Sequence, residues 1–212
     1  MIDYPSTFSE NILSLPTAGL SQDDQAALQQ LADQGYGLYY GLTKQYAEAI
    51  IAMALEADIR EYCPRDSAER FASLEATQQW LGKKRGMFLL LANSAGGQLE
   101  LAGYGWAGAE TSAEVTGGQT TFAVRIGQKH QGNGLATPFC RLIVDGAATM
   151  YGGRDFWLET WGSNGGAVHI YHKLGFETVA EKAAERPTAD GSRVDDVRVT
   201  MKLANELLPN ET

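Results

Sequence analysis

Cysteine is nearly missing from this chain: Cys63 and Cys140 are the two among 212 residues. They form no CxxC pair and no Cys/His ligand spacing, which excludes a disulfide framework and a zinc site of the usual spacing, so no metal is expected. Long apolar runs are absent too. The longest, 87–92, falls far short of the roughly 20 residues that span a bilayer, so no membrane partner is expected. Basic excess is lacking: 17 Lys and Arg against 26 Asp and Glu leave a formal net charge of -9. A phosphate backbone needs a basic surface, so nucleic acid is not an expected partner either. The first residues carry Asp3 and Glu10 with no basic segment leading into an apolar core, and a secretory signal is not expected. The expected setting is cytoplasmic.

The length suits one good-sized domain, and 44% hydrophobic with 20% charged residues fits a soluble globular class. Residues 1–35 read as an N-terminal extension, broken at Pro5, Pro16 and Gly19, with a short helix over 23–34 capped by the Ser21 segment. The main domain is expected over 36–204, followed by a tail, 205–212. A first strand starts at Gly37. Helical spacing predicts one helix over 44–61, stopped by Pro64, and a second over 67–84. Strands follow at 87–91, 99–106 and 119–126, then a helix from Leu135 to about Met150 with Pro138 in its first turn, where a missing N–H costs little. A strand over 155–161, a short helix over 165–174 stopped by Gly175, and an antiparallel pair, 176–180 with 194–202, complete the chain. The polar stretch 182–193 reads as their loop. One helix inserted between two strands makes this an α/β arrangement with a mostly antiparallel sheet and at least one crossover.

At the junction of the 119–126 strand and the following helix stands QGNGLA, residues 131–136. A glycine-rich turn that opens a helix presents N–H groups without partners, at the positive end of the macrodipole. Such a turn holds a pyrophosphate without any lysine. Here the donors would be the main chain of Gln131, Gly132, Asn133, Gly134, Leu135 and Ala136. Taken alone, the stretch also reads as an ordinary strand-to-helix turn. It is neither GxGxxG nor GxxxxGK[ST], which disfavours dinucleotide and nucleoside-triphosphate sites.

A second stretch, LETWGSNGGAVHIYHKLGF at 158–176, changes the weight of the first. Together they resemble the GNAT superfamily of acyl-CoA-dependent N-acyltransferases over about 36–204. Gln131, Gly134 and Ala136 match its Arg/Gln-x-x-Gly-x-Gly/Ala. Asn164, Ala167, Tyr171 and Leu174-Gly175-Phe176 match its second pattern in order and spacing. The resemblance implies a GNAT fold: a mixed, mostly antiparallel central sheet flanked by helices, with splayed central strands. It implies acetyl-CoA as co-substrate and an amine acceptor. Ile126, and Val124 one strand repeat earlier, would offer main-chain groups to the pantetheine arm. Residues 131–136 would wrap the pyrophosphate, Asn164 would bond the pantetheine beyond the splay, and Tyr171 would face the thioester sulfur. Gln131 departs from the commoner arginine and gives up a charge-assisted phosphate contact. Gly127-Gln128 stands where proline is frequent.

A free amine attacks a thioester directly, so no covalent enzyme intermediate is required. The chemistry needs a base for an acceptor that is mostly ammonium, an N–H dipole on the carbonyl, and an acid for the leaving thiolate. A phenol of pKa ~10 is protonated at neutral pH, which suits Tyr171 to the last role. By itself it would read as a core tyrosine on a short helix. Glu159 is the candidate base: its Leu-Glu-Thr setting and its spacing of twelve to Tyr171 resemble GNAT enzymes that acetylate ribosomal protein N-termini. Trp157 and Trp161 on either side would desolvate it and raise its pKa. Glu100 and Glu110 are rivals.

His169 and His172 lie one helical turn apart without a third ligand and read as a solvated helix face. His130 reads as a surface turn, and Cys140 as a packed thiol. The tryptophans read as core, with Trp106 and Trp161 as candidates for an acceptor pocket. The resemblance implies acceptor walls at about 60–70 and 182–193. Both mix charges, so a peptide α-amine, a polyamine or another small amine stay open. The extension either covers that cleft or mediates association, including a homodimer. A non-catalytic acyl-CoA-binding module and a plain interaction domain are the rival readings.

Overall fold

Six consecutive apolar side chains, 87–92, cannot all face one side of a strand, because successive Cβ atoms point to opposite faces. In the computed structural model of the protein, which describes residues 7–15, 20–94 and 96–204, that run is a strand buried on both sides. Phe88 and Leu90 enter one core; Met87, Leu89 and Leu91 enter another. The breaks at Pro5, Pro16 and Gly19 and the tail 205–212 lie outside the described residues.

The described elements are β1 (Leu13–Ser14), α1 (Gln22–Asp33), β2 (Tyr36–Tyr40), α2 (Lys44–Met53), α3 (Ala57–Tyr62), α4 (Leu74–Leu81), β3 (Arg85–Asn93), β4 (Leu99–Ala109), β5 (Thr120–Ile126), α5 (Ala136–Tyr151), β6 (Phe156–Trp161), α6 (Gly165–Lys173), β7 (Phe176–Pro187) and β8 (Arg193–Leu203). The strands form one mixed sheet in the order β1-β2-β3-β4-β5-β6-β8-β7. Every neighbouring pair is antiparallel except β5 with β6. Those two pair only at Thr120–Phe156 and Thr121–Trp157, then part. The sheet is therefore the mostly antiparallel, splayed α/β sheet expected.

Helices α1, α5 and α6 supply Leu31, Leu142, Ile143 and Tyr171 to one face, and α2, α3 and α4 supply Ile50, Ile59 and Trp80 to the other. At Gly105 in β4 a Cβ would sit 2.4 Å from Ile143 Cδ1 and 2.9 Å from the Ala123 carbonyl. Its absence lets α5 lie directly on the strand backbone, which seats the N-terminus of that helix beside the end of β5.

Three elements differ from the sequence expectation. The helix expected over 44–61 is broken after Met53, and α3 begins anew at Ala57. Glu56, its N-cap, gives its carboxylate to the Gln128 amide at 2.7 Å rather than to its own helix. The helix expected over 67–84 is a π-type turn, Asp66–Arg70, followed by a fresh start at Ser73, whose hydroxyl caps the Ala76 amide at 3.1 Å. Fully buried Asp66 is the reason: partners elsewhere in the chain draw it inward. The expected loop 182–193 is mostly strand. β7 and β8 continue to Pro187 and Arg193, with a tight turn at Gly191 (φ +87°). Arg186 holds the hairpin down through ion pairs to Asp196 (2.7 Å) and to Glu61. Propensity cannot foresee such long-range partners.

Candidate active site

β5 delivers the chain to the glycine turn. Gly132 (φ +77°) and Gly134 (φ +71°) take left-handed backbone that L side chains disfavour. Nothing lies within 4 Å of where their Cβ atoms would stand, so that side of the turn is open. α5 starts at Ala136 with no side-chain cap. Among the described residues no partner faces the amides of residues 132–137. Six N–H groups, those of residues 132–137, thus stand at the positive end of a sixteen-residue helix, whereas the Gln131 amide, expected among the donors, is directed to the Gln128 carbonyl at 3.4 Å.

A cavity of about 850 Å³ runs from this turn, through the gap between the parting strands, to the α3 side of the sheet. Val124, Ile126, Gln131, Gly132, Gly134, Leu135, Ala136, Asn164 and Tyr171 all line it. Asn133 is not among its lining residues; its side-chain amide is turned to the His130 carbonyl at 3.2 Å. Asn164 caps α6 by accepting from the Ala167 amide at 3.3 Å, which leaves its side-chain N–H groups for a ligand. The Ile126 carbonyl accepts from the Gln131 side chain (3.1 Å), and that of Val124 from Arg125 (2.7 Å). Each keeps a second lone pair.

Tyr171 is 8% exposed, with its ring edge-on to Phe122 and against Phe176. No partner for its hydroxyl exists among the described residues, and burial pushes the phenol well up. Glu159 also lines the cavity, but the desolvation expected for it is not found. Its side chain is 35% exposed and pairs with Arg198 at 3.0 Å, whose guanidinium lies over the Trp161 ring. Of the rival carboxylates, Glu110 lines the cavity and pairs with Arg85 at 2.6 Å. Glu100 sits outside it, 3.7 Å from Lys129.

The remaining expectations divide. Cys140 is a packed thiol that burial pushes up to about 12. Trp106 and Trp161 both line the cavity, joined by Trp157. His130 is more than a surface turn: it bonds the Tyr36 hydroxyl at 3.1 Å and reaches the cavity. His172 is tied to the Phe176 carbonyl at 3.0 Å.

Sequence reasoning missed a polar cluster beside the cavity. Asp66 accepts from Tyr104 Oη (2.9 Å), from Arg125 Nε (2.8 Å) and from Arg70 Nη1 (2.8 Å). One signal was available: Arg125 is the single charge in the strand TTFAVRI. Arg70 and Asp66 had counted only as part of a mixed wall.

A family model described as an acetyltransferase (GNAT) domain matches residues 40–177. No curated protein matches the chain. Among solved structures, spermidine N-acetyltransferase from Vibrio cholerae, in complex with CoA and spermine, is similar with a TM-score of 0.62 and 20% identity, covering 80% of this chain and 96% of that one. The yncA protein of Salmonella typhimurium, solved with acetyl-CoA, has a TM-score of 0.61 and 17% identity over 84% of this chain and 99% of that one. A GNAT-family acetyltransferase from Streptococcus pneumoniae has a TM-score of 0.60 and 18% identity over 79% and 99%. At these identities the likeness is one of fold.

Proposed function

The chain belongs to the GNAT acetyltransferase family, and on that premise we propose that it transfers an acetyl group from acetyl-CoA to a primary amine by direct attack. One observation carries the reading: an uncapped helix start and the buried Tyr171 hydroxyl open into the same cavity, at the two flanks of the β5–β6 splay.

The amides of residues 132–137 bind the CoA pyrophosphate. Val124, Ile126 and Asn164 guide the pantetheine through the gap, so that the thioester arrives beside Tyr171. The amine comes from the α3 side. Glu159, kept in place by Arg198, takes the ammonium proton directly or through a water. The free amine then adds to the thioester carbon. As the C–S bond breaks, Tyr171 donates its proton to the sulfur, the attacking nitrogen loses its second proton as the amide forms, and that proton returns through water to restore the phenol. Burial disfavours the phenolate, so this donor stays protonated across the neutral range.

The test is a thermal shift with CoA and acetyl-CoA, followed by thiol release across a panel of amines. Stabilisation by both with thiol release supports the reading. Stabilisation without release from any amine makes the chain a binding module, and no stabilisation removes the site.

A further inference from the structure

The cluster around Asp66 does not balance. Arg70 and Arg125 grip opposite oxygens of one carboxylate that is fully buried, and their side chains are only 14% and 12% exposed. Two guanidiniums against one carboxylate leave one positive charge without a counter-charge in a poorly solvated place. Of the other charges on this side, Arg198 is matched by Glu159, Arg85 by Glu110 and Arg65 by Glu69, while Arg186, in the hairpin, is held by two carboxylates, Glu61 and Asp196. Asp58, at the mouth, is exposed to solvent. Burying an unmatched charge is costly, and a site that does so is commonly built for a ligand of the opposite sign.

Arg70 and Arg125 both line the cavity. Arg125 uses Nε for Asp66 and Nη1 for the Val124 carbonyl, and its Nη2 has no partner among the described residues. Arg70 uses Nη1 alone and lies against the rings of Trp80 and Trp106, about 5.0 and 5.1 Å from their centroids. An independent observation points the same way. Trp106, 4% exposed, lines the same cavity, and its buried indole N–H has no partner among the described residues. Two donors at this spot, Arg125 Nη2 and Trp106 Nε1, therefore lack an acceptor among the described residues. Arg125 also stands between Val124 and Ile126 in sequence, so the spot is next to the path assigned to the thioester.

From this we infer that Arg70 and Arg125 form a carboxylate subsite, and that the acceptor is an amine carrying a carboxylate close to its amino group, an amino acid rather than a polyamine. This rests on the acetyl-transfer reading and narrows its substrate class. A planar guanidinium fork matches a carboxylate in two parallel N–H···O bonds. A polycation meets an unmatched positive charge at the same place.

The experiment compares free L-amino acids with their α-amides and with spermidine, by thiol release from acetyl-CoA. In parallel, N-acetyl-amino acids and their amides are compared by thermal shift in the presence of CoA. Acids should exceed amides in kcat/KM by on the order of tenfold to a hundredfold, as a charge-assisted pair implies. The Arg70→Met variant keeps the Asp66–Arg125 pair and removes the surplus charge. It should stay folded with an unchanged or higher Tm, bind CoA as before, and lose the preference for acids. Amides or spermidine equal to or better than acids would overturn the inference, as would Arg70→Met retaining the preference. If no amine releases thiol but N-acetyl acids outdo their amides in thermal shift, the subsite stands and the transfer reading falls. If neither acids nor amides are turned over or bind, the subsite falls. Succinyl-CoA outperforming acetyl-CoA with neutral amines would place the carboxylate on the acyl group and overturn its assignment to the acceptor.

Discussion

Arg125 Nε donates to Asp66 Oδ2 at 2.8 Å, joining β5 to the π-type turn Asp66–Arg70 on the far side of the cavity from the glycine turn. The contact spans 59 residues of chain and has a fully buried oxygen at its centre. Asp66→Asn would leave two guanidiniums facing a neutral amide. Breaking one side of a buried ion pair costs about 3–5 kcal/mol, so urea unfolding at pH 7 should show a loss of that order. A loss below about 1 kcal/mol would mean that the cluster is solvated and weakly coupled.

Gly134 needs left-handed backbone but has open space around it. Gly134→Ala should therefore cost only about 1–2 kcal/mol of stability, a fall in Tm of a few degrees for a chain of this size. CoA affinity should fall by more, on the order of tenfold, because the turn's amides would no longer converge. Calorimetric titration with CoA beside thermal melts separates the two effects. Unchanged CoA affinity in the folded variant would remove the turn from the site.

Tyr171→Phe deletes one oxygen and keeps the ring against Phe122 and Phe176. Turnover should fall by about 10²-fold or more, the usual worth of a positioned acid, with the CoA-induced thermal shift retained. Wild-type turnover would dismiss the tyrosine from the mechanism.

Glu159 and Glu110 are separated by a pair of variants. Glu159→Gln should lower turnover by about 10²-fold and abolish the acidic limb of the pH–rate profile, whereas Glu110→Gln should leave that limb in place. An intact acidic limb in Glu159→Gln dismisses it as the base.

Helix α1 rests on α5 through two acids. Among the described residues no N–H reaches buried Asp24 Oδ1, and the neighbouring Asp145 carboxyl is coupled to it. Burial, then the bond to Asp24 and that residue's charge, push Asp145 up to about 6 from 3.8, against the opposing pull of Arg154. An acid whose folded pKa is raised stabilises the fold at low pH and loses that contribution as pH climbs through the folded value. Stability from this pair should decline between about pH 4 and 6, by on the order of 1 kcal/mol once its solvent exposure is discounted. Asp145→Asn keeps a donor that does not titrate. It should raise Tm at pH 8 by a few degrees and leave pH 5 little changed. An identical pH dependence in the variant would show that the pair carries no shared proton.

Much of the site was legible before any coordinates. QGNGLA marked an open turn at the start of a helix because glycine is favoured at its two left-handed positions, and Asn164 and Tyr171 stand at the cap and within one short helix at a spacing that local geometry preserves. The broken helices 44–61 and 67–84 were not legible. Their apolar periodicity was sound, but Glu56 and Asp66 answer to Gln128, Tyr104 and Arg125, far along the chain. The extended β7–β8 hairpin was missed for the same reason, since its charged residues looked like loop until Arg186 met Glu61 and Asp196.

Local rules thus settled the order of strands and helices, the turn that opens α5 and the residues on either flank of the splay, because each depends on neighbours within a few positions. The charge balance at the acceptor side was settled by folding alone. In sequence Asp66 and Arg70 fall within the mixed-charge wall at 60–70 and Arg125 is a lone charge in a strand; they become two cations on one buried anion only when the sheet brings them together and water is shut out.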